Sequence, residues 1–83
     1  METRNALIGI IVEDPAEVEK LNKLLHTYSS HIIGRMGIPY RPKEINIISV
    51  ALDAPNDIIS SLSGKLGMLK GISVKTMYSN VNK

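Results

Sequence analysis

Two stretches of this chain are variations on one pattern. "IIVEDPAEVEKL", residues 10–21, and "SVALDAPNDIISSL", residues 49–62, each pass from an apolar segment through an acid and a proline into an amphipathic segment. Proline suits the first position of a helix, where its missing N–H would be unpaired anyway. Acids around it cap free N–H groups and face the positive end of the helix dipole. Each stretch therefore predicts a strand that turns directly into a helix. A chain that does this twice is confined to a few α/β or α+β arrangements.

The flanking segments narrow the choice. In "NALIGIIVED", Ile8, Ile10 and Val12 fall on one face and Leu7, Gly9 and Ile11 on the other. A strand apolar on both faces belongs in the middle of a sheet, and "INIISVALDA", residues 45–54, reads the same way. After Asp14 as N-cap, Pro15 at the first helical position and Glu17 in the first turn, Val18, Leu21, Leu25 and Tyr28 recur at helical spacing. That helix is expected to end near Ser29 or Ser30. A second stripe of Ile58, Ile59, Leu62, Leu66 and Leu69 predicts another helix, whose second half Gly64 and Gly67 weaken and end in a glycine cap.

"HIIGRMGIPY", residues 31–40, reads as an edge strand, because proline and glycine are confined to edges, strand ends and bulges. Strict alternation puts Ile32, Gly34, Met36 and Ile38 on one face and His31, Ile33, Arg35 and Gly37 on the other. "RPKE" is a turn, "GISVKTMYS" a fourth strand opened by Gly71, and "NVNK" a frayed tail.

The resulting order, strand–helix–strand–strand–helix–strand, is that of an α+β ferredoxin-like plait: a four-stranded antiparallel sheet with two helices on one face, formed by residues 1–83 as a single domain. Its first and third strands are central, matching the two doubly apolar segments. Leu7, Ile11, Ile33 and Ile47 then point to the face without helices, and an exposed apolar face marks an interface. An 83-residue chain buries only about 60–65% of its unfolded surface. With no cysteine for a disulfide, self-association through that face, as a dimer or tetramer, is the expected supplement.

Composition removes several function classes. Net charge is +2, from 10 basic and 8 acidic residues spread along the chain, so no direct nucleic-acid contact is expected. The longest apolar run, Ala6 to Val12, is too short to cross a bilayer, and the N-terminus lacks the pattern of a signal peptide. A cytoplasmic protein without membrane contact is expected. Ser60, Ser61 and Ser63 lack a recognisable His–Asp partner, and "GKLGMLKG" lacks the order of a phosphate loop. In the carboxylate cluster Glu13, Asp14 and Glu17, helix capping explains Asp14 and Glu17, and core filling explains Met36, Met68 and Met77. No catalytic residue or intrachain metal site is expected, and the residues name no cofactor.

Two weaker clusters remain. His26 and His31 match no helical ligand pair, though a metal site assembled between subunits could draw on either. Arg35, Tyr40, Arg41 and Lys43 make a basic, partly aromatic patch around the edge strand. Its functional role would be to contact an anion or small molecule at a subunit boundary; its structural role would be to protect the edge. His31, Arg35, Tyr40 and Arg41 are the ligand-binding candidates.

"ALIGIIVED", "HIIGRMGIPY", "ISVALDAPNDIISSLSGKLGML" and "GISVKT" together resemble the small iron-only hydrogenase system regulators, from about Arg4 to Tyr78. That family is similar in fold to ACT-like regulatory domains and to the C-terminal domain of the nickel-responsive repressor. The resemblance implies an oligomeric, non-enzymatic regulatory module. The nickel repressor binds its metal through histidines and a cysteine, whereas this chain has two histidines and no cysteine. Amino-acid-binding ACT domains usually carry glycine after the first junction proline, where this chain has Asp14-Pro15-Ala16. The resemblance includes no DNA-binding segment, so an effect on transcription would run through a partner protein or a ligand-dependent assembly. The alternative is a metal sensor using His26 or His31 of adjacent subunits.

Overall fold

The computed structural model describes residues 2–80. Of the tail expected at 80–83, residues 81–83 lie outside the described residues. The elements are β1 (Arg4–Val12), α1 (Val18–Thr27), β2 (Ile32–Tyr40), β3 (Ile45–Ala54), α2 (Asn56–Gly67) and β4 (Ile72–Tyr78). They form one antiparallel sheet in the order β2-β3-β1-β4. The doubly apolar β1 and β3 are central, and β2 is an edge, as their patterns predict.

Alternation along the central strands builds the core. Ala6, Ile8, Ile10 and Val12 of β1 are buried with Ile48, Val50, Leu52 and Ala54 of β3. Leu21, Leu25 and Tyr28 from the first helical segment, and Ile59, Leu62 and Leu66 from α2, close over them in the same cluster. Both helices thus lie on one sheet face. Each fully buried Leu or Ile contributes about 1.5–3 kcal/mol, more than the roughly 1 kcal/mol cost of a helical glycine. That balance explains why α2 continues through Gly64 to Gly67, where glycine content alone predicts a weakened half. Met68, in right-handed conformation, caps it, so no glycine cap forms.

The first strand–helix junction is tighter than expected. Asp14 Oδ1 accepts from the Ala16 N–H at 3.0 Å, as a cap should, but Pro15–Glu17 form a 3-10 turn before α1 begins. α1 ends at Thr27, and the 3-10 turn Ser29–His31 follows it, so His31 precedes the second strand. Glu17 does not stand in solvent as a simple first-turn acid. It is only 8% exposed, accepts from the Lys70 N–H at 3.2 Å and pairs with Lys20 Nζ at 3.4 Å. It thereby ties the start of the first helix to the turn before β4. At the same junction the Glu13 and Asp14 N–H groups donate to the Gly71 carbonyl at 2.7 and 3.3 Å.

One irregularity reorients an entire strand. β2 pairs Ile32 with Leu52 but Gly34 with Ala51, so Ile33 is an extra residue. Beyond this bulge Arg35 lies opposite Val50 on the helix face, while Met36 and Ile38 lie opposite Ser49 and Ile47 on the open face. Strict alternation grouped Ile32 with Met36 and Ile38, and Ile33 with Arg35. The extra residue exchanges these partners. Met36 is consequently exposed on the open face, where Met77 of β4 also lies opposite Leu7, and Met68 is exposed at the end of α2, so none of the three fills the core.

Glycine substitutions test this account of the backbone. Gly71 has φ +65°, and a Cβ there would lie 2.6 Å from Asp14 Cβ. Gly71→Ala should cost about 1–3 kcal/mol in urea unfolding. Gly64 has open space around it, so Gly64→Ala should instead stabilise by about 0.5–1 kcal/mol. Equal effects of the two substitutions would contradict the assignment.

Candidate functional site

The face opposite the helices is a ladder of apolar and small residues. Cross-strand rows run Ile38–Ile47–Ile11–Ser73, Met36–Ser49–Gly9–Lys75 and Gly34–Ala51–Leu7–Met77. Among its large apolar side chains exposure ranges from 39% for Leu7 to 65% for Ile33, while Ser49 and Ala51 between them are half-buried. Lys75 is the one charge within the three rows.

Two shallow depressions mark the face. One, of about 300 Å³, lies around Leu7, Ile33, Ala51 and Met77. The other, of about 350 Å³, lies over Gly9 between Ile11, Ile47, Ser49 and Lys75. A glycine at the centre leaves room for a side chain from outside to approach the backbone. Ser73 Oγ donates to Glu13 Oε1 at 3.1 Å, placing a carboxylate at the rim.

The four residues singled out from sequence do not form one cluster. His31, half-buried, belongs to the turn before β2, where its N–H donates to the Tyr28 carbonyl at 2.9 Å. Arg35 faces α1, and its Nη2 donates to Asn22 Oδ1 at 3.0 Å. Tyr40 and Arg41 lie at the other end of the strand, in a groove of about 410 Å³ with Pro15, Glu44 and Asn46. Arg35 and Tyr40 are five positions apart, roughly 17 Å along an extended strand and on opposite faces.

Arg35 instead shares a groove with His26, read from sequence only as a possible metal ligand, and with Asn22 and Ser29, to which sequence reasoning gave no binding role. Asn22, Leu25, His26 and Ser29 line a groove of about 270 Å³ with Ile32 and Arg35. Their signal was the i, i+4, i+7 spacing of Asn22, His26 and Ser29, which puts three polar side chains along one helical stripe. His26 thus has a guanidinium in its own groove, an unfavourable setting for a divalent cation. Among the described residues no three His, Cys, Asp or Glu side chains come together as a metal site.

The helices carry a second polar network, also missed from sequence. The Tyr28 hydroxyl is 3.0 Å from Ser61 Oγ, and Lys65 Nζ lies 5.5 Å from the centre of the tyrosine ring. Hydrogen bonding to Ser61, then to Lys65, favours the phenolate and lowers the Tyr28 pKa from its ordinary 10.0, against an opposing effect of burial. Further along α2, Ser63 and Ser60 meet Thr76 at 2.7 Å and Tyr78 at 3.3 Å, respectively. These hydroxyls join helices to each other and to β4.

Comparison with known proteins gives the class first. Likeness at the level of fold alone extends to a formyltetrahydrofolate deformylase from Pseudomonas putida KT2440, with TM-score 0.66 and 11% identity over 93% of this chain and 29% of that one. A protein of unknown function from Galdieria sulphuraria has TM-score 0.66 and 15% identity, covering 99% of this chain and 48% of that one. Both support an α+β, ferredoxin-like plait. The uncharacterized protein TM1266 from Thermotoga maritima is far more similar: 38% identity and TM-score 0.89 over 93% of this chain and 98% of that one. The family model for TM1266-like iron-only hydrogenase system regulators, a provisional description, matches residues 4–76. The chain belongs to that family. No curated protein matches it, and among the described residues no helix is long and apolar enough to cross a membrane.

The Tyr28 network makes a titration prediction. A folded-state pKa below the unfolded value means that the folded chain releases this proton first. Stability should therefore rise with pH between the two values and gain nothing below them. In a tyrosinate absorbance titration one of the three tyrosines should ionise ahead of the others. Tyr28→Phe should remove that leading step, and Ser61→Ala should move it back toward the ordinary value. A leading step that survives in Tyr28→Phe would contradict the assignment.

Proposed function

We propose that the chain is a cytoplasmic, non-enzymatic regulatory module, a single domain acting as a homo-oligomer that covers its open sheet face with a second copy. The observation that carries this reading is the row structure of that face. Ile11, Ile38 and Ile47 lie side by side across three strands, at 40, 54 and 42% exposure, with Leu7, Met36 and Met77 around them. Leaving so continuous an apolar patch in water is costly, and most soluble oligomers relieve that cost with a symmetric interface. Membership in a family described as regulators supports the class of function.

In this reading a small effector or a partner protein binds at the subunit boundaries, near β2 and the strand–helix junctions. Both lie at the margins of the open face, so occupancy there is coupled to how the subunits meet. Regulation then consists of a change in assembly, or in the surface the assembly presents, upon binding. An influence on transcription would pass through a partner.

Sedimentation velocity at micromolar concentration tests the assembly. The chain should sediment as an oligomer of its 9.1 kDa subunit. Ile47→Lys, which puts a charge in the middle of the apolar row without touching the helix-face core, should shift it to monomer while keeping the circular dichroism spectrum. A wild-type chain that stays monomeric at that concentration would overturn the proposal.

A further inference from the structure

The β2 bulge has an effect on the helix face that core packing does not require. By inserting Ile33 it turns the Arg35 side chain away from the open face and toward α1, where Asn22 holds one guanidinium nitrogen at 3.0 Å. Bulges often re-aim a side chain in this way beside functional sites. Among the described residues no carboxylate lies within ion-pairing distance of Arg35. His26 on α1 and Ser29 in the turn after it line the same groove, and Leu25 and Ile32 form the apolar floor.

From this we propose that the Asn22–His26–Ser29–Arg35 groove binds a small oxyanion, the carboxylate or phosphate group of an effector. The inference rests on the reading of the chain as an effector-binding module and assigns that effector a chemistry and a place.

Several features match that chemistry. Guanidinium is the side chain suited to carboxylate and phosphate, because its planar fork donates two parallel hydrogen bonds. Here one nitrogen donates to a neutral amide oxygen, which leaves the charge unneutralised. His26 from α1 and Ser29 from the turn that follows it add N–H and O–H donors, and none of the lining residues is acidic. At about 270 Å³ the groove suits a small anion better than a nucleotide. The C-terminal end of a helix disfavours an anion, but here the Leu25 carbonyl accepts from the Tyr28 N–H and the Tyr28 carbonyl from the His31 N–H, which reduces that opposition.

The test is an NMR titration of the full chain with inorganic phosphate and, separately, with acetate, at ionic strength held constant with chloride. The expected result is saturable shifts confined to Asn22, His26, Ser29 and the Arg35 guanidinium, with the tighter-binding probe telling a phosphate from a carboxylate source. Arg35→Gln should weaken that binding at least about tenfold, and His26→Gln should weaken it less. Neither variant should alter the sedimentation of the assembly, so loss of binding and loss of assembly are separable results. Shifts that fail to saturate with either anion, that centre on Arg41 or Lys75, or that persist unchanged in both variants would overturn the proposal.

Discussion

The central strands of this protein are apolar on both faces, and the chain has only two helices to set against them. Both helices go to the same face because the β1–α1–β2 and β3–α2–β4 units each join parallel strands, and such crossovers share one right-handed sense. The helix side becomes a complete core in which Ile8, Ile10, Val50 and Leu52 are essentially sealed from water. The other side keeps Leu7, Ile11 and Ile47 at the surface. Everything proposed about assembly follows from that asymmetry. The hydrophobic effect that builds the fold is left half-satisfied by a single copy.

The junctions show how little freedom the helices have. Gly71, in left-handed backbone conformation, lets the turn before β4 approach Asp14 closely, and its carbonyl receives two N–H groups from the β1 end. Glu17 adds a bond from the opposite direction to Lys70. The first helix is thereby anchored to the sheet on one side and to α2 through the Tyr28–Ser61 pair on another. Such fixed helices hold Asn22, His26 and Ser29 in place against the edge strand. A groove that binds a small anion needs that rigidity.

Much of this was legible in residue patterns. Strand order, the central position of β1 and β3, the edge position of β2 and the apolar open face all follow from periodicity and from where proline and glycine can stand. What escaped was each case in which one added residue or one tertiary contact outweighed the local pattern. Gly34 and Gly37 allow for a bulge but do not say which residue is extra, and the extra residue at Ile33 changes the face of every residue after it. Residue type suggests core positions for Met36 and Met77, but the bulge puts Met36, and plain strand parity Met77, at the surface. Gly64 weakens a helix in isolation, but the burial of Ile59, Leu62 and Leu66 overrides it. The candidate ligand residues were chosen by proximity in sequence. Extended backbone separates neighbours along a strand, whereas Arg35 meets Asn22, thirteen positions away, across the strand–helix contact.

The central claim is that the open face is covered in solution. Methyl NMR with a soluble paramagnetic agent measures that cover side chain by side chain, with Ile8, Ile10 and Ile59 as fully buried references. The account predicts that the methyls of Ile11, Ile38 and Ile47 are shielded from the agent nearly as well as those references at micromolar concentration, and lose that shielding on dilution. Relaxation enhancement at Ile11, Ile38 and Ile47 as large as their exposure in a single copy implies, and independent of concentration, would contradict it.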